Sequence, residues 1–225
     1  VIVHDVAQGS TEWKMARMGI PTASQFGRIL SSKTLKPLAG AETYMLELLT
    51  ESLLGFCEGE DGSQFMDRGR EMEEEAVAWF ELEKGVDATK VGFITNDEGT
   101  AGCSPDRLVG EDAGLEVKCP AAKTHLGYLL SQEIPADYIA QIQGGLYLTG
   151  RAHWDFCSYN PVLPPWCIRV ERDETYITAL ASALGAFTAR LADARARLLR
   201  LGVVPVLESS GNRDGLVKVV SDVLC

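Results

Sequence analysis

The sequence predicts an α/β fold with a mixed central β-sheet flanked by helices. Three observations predict it. Strand-like runs of four to seven residues fall at 91–95, 100–103, 106–109, 114–118, 153–159 and 166–171. Helical stretches precede, separate and follow them, at 41–55, 65–84, 122–131, 136–149 and 174–201. Elements in that order bury their apolar sides by laying helices on both faces of one sheet. No linker-like stretch splits the chain, so 1–201 reads as one domain and 202–225 as a tail of unassigned role.

The elements follow from local chemistry. Ser10 can cap a short helix over 10–18. Thr22-Ala23-Ser24-Gln25 fits a capping box opening a second helix to about Leu30. Residues 31–40 read as loop, and the helix over 41–55 ends at Gly55. Cys57 to Ser63 is a loop rich in Gly, Asp and Glu. In the helix over 65–84, Met66, Met72, Ala76, Val77, Trp79 and Phe80 make one apolar stripe at 100° per residue. Glu71, Glu74 and Glu75 lie off it, but Glu73 lies within it. A carboxylate there needs a partner: a cation, a metal or hydrogen-bond donors. It is either an inward-reaching active-site acid or a buried Glu paired with an Arg. A Gly-containing turn between Val109 and Leu115 joins two strands as a hairpin. The helix over 136–149 carries Tyr138 and Gln141, and the Pro-rich turn Asn160 to Pro165 separates the last two strands. In the tail, Ser209 to Asn212 is turn-like, and Val217 to Leu224 reads as a short helix or strand.

Composition narrows the class. The chain has 225 residues, 46% hydrophobic and 24% charged, as an ordinary globular protein does. No apolar run reaches membrane-span length and no secretory signal opens the chain, so a cytoplasmic protein is expected. Cys57, Cys103, Cys119, Cys157, Cys167 and Cys225 show no C-x-x-C pair or zinc spacing and read as free thiols. The net charge of −11 excludes a surface coated in basic charge. Yet residues 13–40 contain Lys14, Arg17, Arg28, Lys33 and Lys36 and no acid, and Arg190, Arg195, Arg197 and Arg200 form a second basic cluster. These are solvated helix faces or a local track for phosphates, whose attraction is screened beyond about 10 Å.

The chemistry concentrates at Ser104-Pro105-Asp106 and Glu116-Val117-Lys118. Two carboxylates can hold Mg²⁺, and a lysine beside them can orient or deprotonate a water attacking phosphorus. Strand alternation puts Glu116 and Lys118 on one face. Asp106 and Glu116 are then the metal ligands, the Val117 carbonyl a third, and Lys118 a catalytic group whose pKa nearby metal charge would lower. The P-D…E-x-K pattern is degenerate, and its plain alternative is a surface hairpin with ordinary charges.

The order of further motifs is more specific. Trp13-Lys14-Met15-Ala16-Arg17-Met18-Gly19 followed by Thr22-Ala23-Ser24, then Ala101 to Asp106, Gly114 to Pro120, Tyr138-Ile139-Ala140-Gln141 and Val170 to Asp173, together resemble the lambda exonuclease (YqaJ-like viral recombinase) family. The resemblance covers about residues 10–175. It implies a restriction-endonuclease-like core and a processive 5′→3′ exonuclease on double-stranded DNA. Such an enzyme releases 5′-mononucleotides and leaves a 3′ overhang for recombination by single-strand annealing. It implies Asp106 and Glu116 as ligands, a pair of Mg²⁺ ions replaceable by Mn²⁺, Lys118 as the catalytic lysine, Glu73 as the helix-borne acid, and Gln141 with Tyr138 near the attacking water. Arg17, Ser24 and Ser104 match a pocket for a 5′-terminal phosphate; the plain alternative for Arg17 is an exposed helix cation. A ring-shaped homotrimer and a single-strand annealing protein as partner are implied as well, in a bacterial host or its phage. Alternatives are a restriction endonuclease, a RecB-like or four-cysteine iron–sulfur nuclease, and a non-catalytic DNA-binding module of the same fold.

Overall fold

The computed structural model describes residues 1–55 and 64–206, with residues 64–70 as backbone only. The expected loop at Cys57 to Ser63, the side chain of Met66, the tail elements at 209–212 and 217–224, and the thiols Cys57 and Cys225 lie outside the described residues.

In chain order the elements are β1 (Ile2–His4), α1 (Thr11–Arg17), a 3-10 helix (Ala23–Arg28), α2 (Gly40–Leu54), α3 (Gln64–Lys84), β2 (Ala88–Thr89), β3 (Phe93–Thr95), β4 (Gly102–Cys103), β5 (Arg107–Val109), β6 (Ala113–Lys118), α4 (Ala122–Ser131), α5 (Ala136–Thr149), β7 (His153–Ser158), β8 (Trp166–Glu171) and α6 (Glu174–Arg200). Ser10 caps α1 by accepting from the Trp13 amide, as expected. The expected capped α-helix after Thr22 is instead a six-residue 3-10 helix, and Thr22 makes no side-chain cap bond. The Thr22 hydroxyl is drawn to Ser24 and Arg17, and its amide to the hydroxyl of Tyr44, so it is not available as a cap.

The strands form two sheets rather than one. β1-β3-β4 is antiparallel, and the five-stranded sheet runs β2-β5-β6-β7-β8 with one parallel pair, β6 and β7. β5 and β6 are the expected hairpin, with Arg107 opposite Leu115 and Val109 opposite Ala113. β1 and β2, too short for a periodic signal, are additions to the sequence reading.

Register sorts the larger sheet into two faces. Leu115, Val117 and Cys157 pack with Ala76, Val77 and Phe80 of α3. Trp154, Phe156 and Trp166 pack with Ile142 and Leu146 of α5 and Ile177 of α6. Glu116 pairs with Phe156 and Lys118 with Ser158, so both acid and lysine face the α5 side. A third cluster joins the 3-10 helix, α2, α5 and α6 around Phe26, Leu48, Tyr176 and Leu180. Cys157 and Cys167 are register partners with Cα atoms 4.1 Å apart and form a disulfide, which corrects the reading of both as free thiols. Cross-strand pairing between residues ten apart is invisible to a spacing rule. Cys103 and Cys119 are free thiols.

Trp154 lies across Gly114 of the neighbouring strand. A Cβ at Gly114 would stand 2.4–2.5 Å from the indole ring, against Gly145 on the far side. Gly114→Ala should therefore destabilise the fold by about 1–3 kcal/mol through overpacking, read as a lower midpoint in chemical denaturation.

Candidate active site

Asp106 immediately precedes β5, and its carboxylate Oδ2 accepts the Val117 amide of β6 at 2.7 Å. This side-chain bond extends the hairpin ladder past the last backbone pair. In a strand, the N–H and C=O of one residue point to the same side. The Val117 carbonyl is thereby turned to the same edge as Asp106. Glu116 is 3% exposed, on the α5 face. Its Oε1 accepts from Gln141 Nε2 at 2.6 Å and pairs with Lys118 Nζ. Lys118 also sits over the Tyr138 ring, 5.3 Å from its centroid, and Tyr138 in turn packs on Phe156. Asp106, Glu116, Lys118, Gln141 and Tyr138 are thus one connected group.

Electrostatics follow from burial. Burial, then the Glu116 charge, pushes the Asp106 carboxyl up to about 7, against the pull of Lys118 and the Val117 amide. For Lys118, burial acts against its charge, but Glu116 and Asp106 outweigh it and hold the ammonium above its ordinary range. The expected lowering depended on metal charge; the carboxylates alone act in the opposite direction, so Lys118 enters the site as a cation.

Glu73 is placed on the other side of the hairpin. It is half-buried on α3, and Arg107 Nη1 donates to its Oε1 at 3.3 Å. Arg107 is 3% exposed; it also donates to the Asp106 carbonyl at 2.6 Å and pairs with Glu74. Burial and the Asp106 charge raise the Glu73 pKa, while Arg107 lowers it. Both alternatives for Glu73 therefore meet in one place: it is paired with an Arg and it feels Asp106. Arg107, absent from the sequence reading, ties the two together. Its signal was its position next to Asp106, on the opposite pleat from Leu108.

A continuous chain of contacts surrounds the second set of residues. Trp13 Nε1 donates to Ser104 Oγ at 2.9 Å. The Arg17 guanidinium lies over the Trp13 ring, 4.2 Å from the centroid. Arg17 Nη2 reaches Thr22 Oγ1 at 3.5 Å, and Thr22 Oγ1 meets Ser24 Oγ at 3.3 Å. Ser24 contributes an exposed hydroxyl; the expected help from a capped helix start is absent, because the 3-10 helix is short and uncapped. A bond from the Gly102 amide to the Pro21 carbonyl, 3.0 Å, pins this loop to β4. One cavity is lined by Arg17, Thr22, Ser24 and Ser104 together with Glu116 and Gln141. The two groups therefore share a single wall-to-wall site.

The charge clusters are only partly available. Arg28 is held by both oxygens of Glu47 and lies over Tyr44, and Arg190 pairs with Glu42. Lys14, Lys33 and Lys36 make no ion pair among the described residues. Among the described residues, no helix is long and apolar enough to cross a membrane.

The YqaJ-like viral recombinase domain model matches residues 12–152, most of the chain and all of this site. The chain belongs to that family. An alkaline exonuclease (LHK-Exo) from Laribacter hongkongensis is 34% identical, with a TM-score of 0.76 over 86% of this chain and 98% of that one. The same enzyme in complex with dAMP matches equally. A phage-related exonuclease from Haemophilus somnus 129PT, 14% identical with a TM-score of 0.61, covers 80% of this chain and 96% of its own and shares the fold. Among curated proteins none matches. This YqaJ-like chain shares its α/β fold with these exonucleases.

The Asp106 shift makes a prediction about stability. A carboxyl raised to about 7 from its ordinary 3.8 costs the fold nothing below pH 4 and its full amount above pH 7. Asp106→Asn keeps an acceptor for Val117 and removes the charge. Its unfolding midpoint should exceed that of the wild type at pH 8, by a few kcal/mol in stability, and the two should converge near pH 4.

Proposed function

We propose that this protein is a Mg²⁺-dependent, processive 5′→3′ exonuclease on double-stranded DNA. It releases 5′-mononucleotides and leaves a 3′ single strand for an annealing protein. The observation that carries the reading is the single cavity joining Arg17, Ser24 and Ser104 to Glu116 and Gln141. Family membership and the 34% identical alkaline exonuclease support it.

The donor set suits Mg²⁺. No group of three or more His, Cys, Asp or Glu converges on one point among the described residues. Asp106, Glu116 and the Val117 carbonyl supply oxygen ligands alone, and Mg²⁺ keeps several waters when bound by one or two carboxylates. Mn²⁺ takes the same ligands. Held there, the ion would supply charge for the phosphoryl oxygens and would acidify the attacking water. Burial, and after it the Glu116 charge, raises Asp106, and a cation beside the two carboxylates would offset both.

The protein's own groups do the rest. Lys118, held as a cation, stands where negative charge develops on phosphorus and can donate to it or to the water. Gln141 spends its amide N–H on Glu116, which leaves its carbonyl oxygen to accept from that water. Tyr138 holds the lysine in place from below. Arg17, Ser24 and Ser104 bind the terminal phosphate, which sets the first phosphodiester beside Asp106 and Glu116. Cutting there gives one 5′-mononucleotide, and the newly exposed phosphate refills the pocket. Lys14, Lys33 and Lys36 offer charge for the duplex backbone in a protein of net −11. A homotrimeric ring around DNA would retain such an acidic protein on its substrate.

With Mg²⁺, linear duplex bearing 5′-phosphates should be digested rapidly, 5′-hydroxyl ends slowly and supercoiled circles not at all; cleavage of the circle would sink the reading. Asp106→Ala should abolish turnover with DNA binding largely kept in a filter or anisotropy assay. Lys118→Ala should lower kcat by about 10²–10⁴-fold. Arg17→Ala should erase the preference for phosphorylated ends, measured as the ratio of initial rates.

A further inference from the structure

We infer that Trp13 is the positioning residue of the end-phosphate pocket: its indole presets the Ser104 hydroxyl and the Arg17 guanidinium to receive one terminal phosphate. This rests on the phosphate-pocket reading of the preceding section.

The indole N–H can only donate. Here it is given to Ser104 Oγ at 2.9 Å, a normal hydrogen-bond length. Ser104 Oγ thus accepts on one side, and its own proton remains to be given. Among the described residues it is bonded to no protein acceptor. The hydroxyl is therefore a directed donor, which is what a phosphate monoester carrying close to two negative charges takes up. Ungoverned, a serine hydroxyl rotates freely and can equally present a lone pair.

The face of the same ring carries Arg17, with the guanidinium carbon 4.2 Å from the centroid. Cation–π contact restrains the long arginine side chain while leaving the N–H groups at its edge to bond. One such group reaches Thr22, beside Ser24. Ser104 follows β4, Arg17 ends α1, and Ser24 lies in the 3-10 helix, so the three pocket residues come from three separate elements. Trp13 is the side chain that touches two of them and, through Arg17, reaches the third.

A purely structural Trp13 fits the fold poorly. Helix α1 buries no residue, and Trp13 itself is only half-buried. The helix is anchored at its start by the Ser10 cap, which accepts the Trp13 amide at 3.1 Å. That cap fixes the backbone of Trp13 and so the direction of its ring. Because its N–H is already committed to Ser104, Trp13 does not itself bond the phosphate; it acts through Ser104 and Arg17.

Trp13→Phe separates the two contacts: it retains a ring under Arg17 and deletes the N–H. Initial rates are compared on duplexes with 5′-phosphoryl and 5′-hydroxyl ends for wild type, Trp13→Phe, Ser104→Ala and the double variant. Loss of a directed donor to an anion should lower the phosphoryl-to-hydroxyl ratio about 3–20-fold in Trp13→Phe, chiefly through KM of the phosphorylated duplex. The double variant should match Ser104→Ala alone, since the indole N–H then has nothing to direct. A ratio equal to wild type, an equal loss on both substrates, or additive effects in the double variant overturns the inference. The ratio is taken on one preparation, so a fraction of unfolded protein cancels. A wild type that does not discriminate between the ends, with Arg17→Ala unchanged from it, overturns the pocket reading itself and this inference with it.

Discussion

The hydrogen bond from the Val117 amide to the Asp106 carboxylate organises the rest of the site. Without it, the Asp106 carboxylate, just ahead of β5, would lose its anchor to β6. With it, Asp106 is held across the edge of β6, alongside Glu116 and turned to the same edge as the Val117 carbonyl. The bond is made by the charged oxygen of a group that burial raises to about 7, so two opposing effects act on one side chain. The amide favours the carboxylate; burial and Glu116 disfavour it, and they win. Such a site stores unfavourable charge that a divalent cation can neutralise.

The sheet divides the supporting work between its faces. On the α5 face, Gln141 and Lys118 both hold Glu116, and Tyr138 packs between them and Phe156. On the α3 face, Arg107 gathers the Asp106 carbonyl, Glu73 and Glu74. A buried arginine among acids is costly to break, because removing one partner leaves the other charge unpaired. Asp106 is therefore restrained from both sides by groups whose own positions are over-determined.

Helices were legible because their periodicity is local: α2, α4, α5 and α6 fall within a residue of the bounds the pattern predicts. The β5–β6 hairpin was legible for the same reason, since its turn is three residues long. What sequence reasoning missed is non-local. The division into two sheets depends on β1 pairing with a strand about ninety residues away. The Cys157–Cys167 bond depends on the register of β7 on β8. Arg107 looked like an ordinary strand charge until α3 was packed against it. Trp13 was part of a recognised string, but its contact with Ser104 spans 91 positions. Thr22 was misassigned because a capping box and a side-chain cluster use the same residue types, and only tertiary partners decide between them. The candidate site residues came from ordered motifs; the contacts that hold them in place, and Arg107 among the groups that make them, did not.

The short link Ser104-Pro105-Asp106 has a geometric consequence. Pro105 is buried with its φ fixed by its ring, and Gln8 clamps its carbonyl at 2.8 Å while bonding Val91. Two residues of extended chain span at most about 7 Å. Ser104 and the Asp106 carboxylate are therefore joined by a stiff bar of set length, built from backbone. On the proposed reading, that bar is a measuring stick: it fixes how far from the strand end the cut falls, and so makes each step of digestion one nucleotide long.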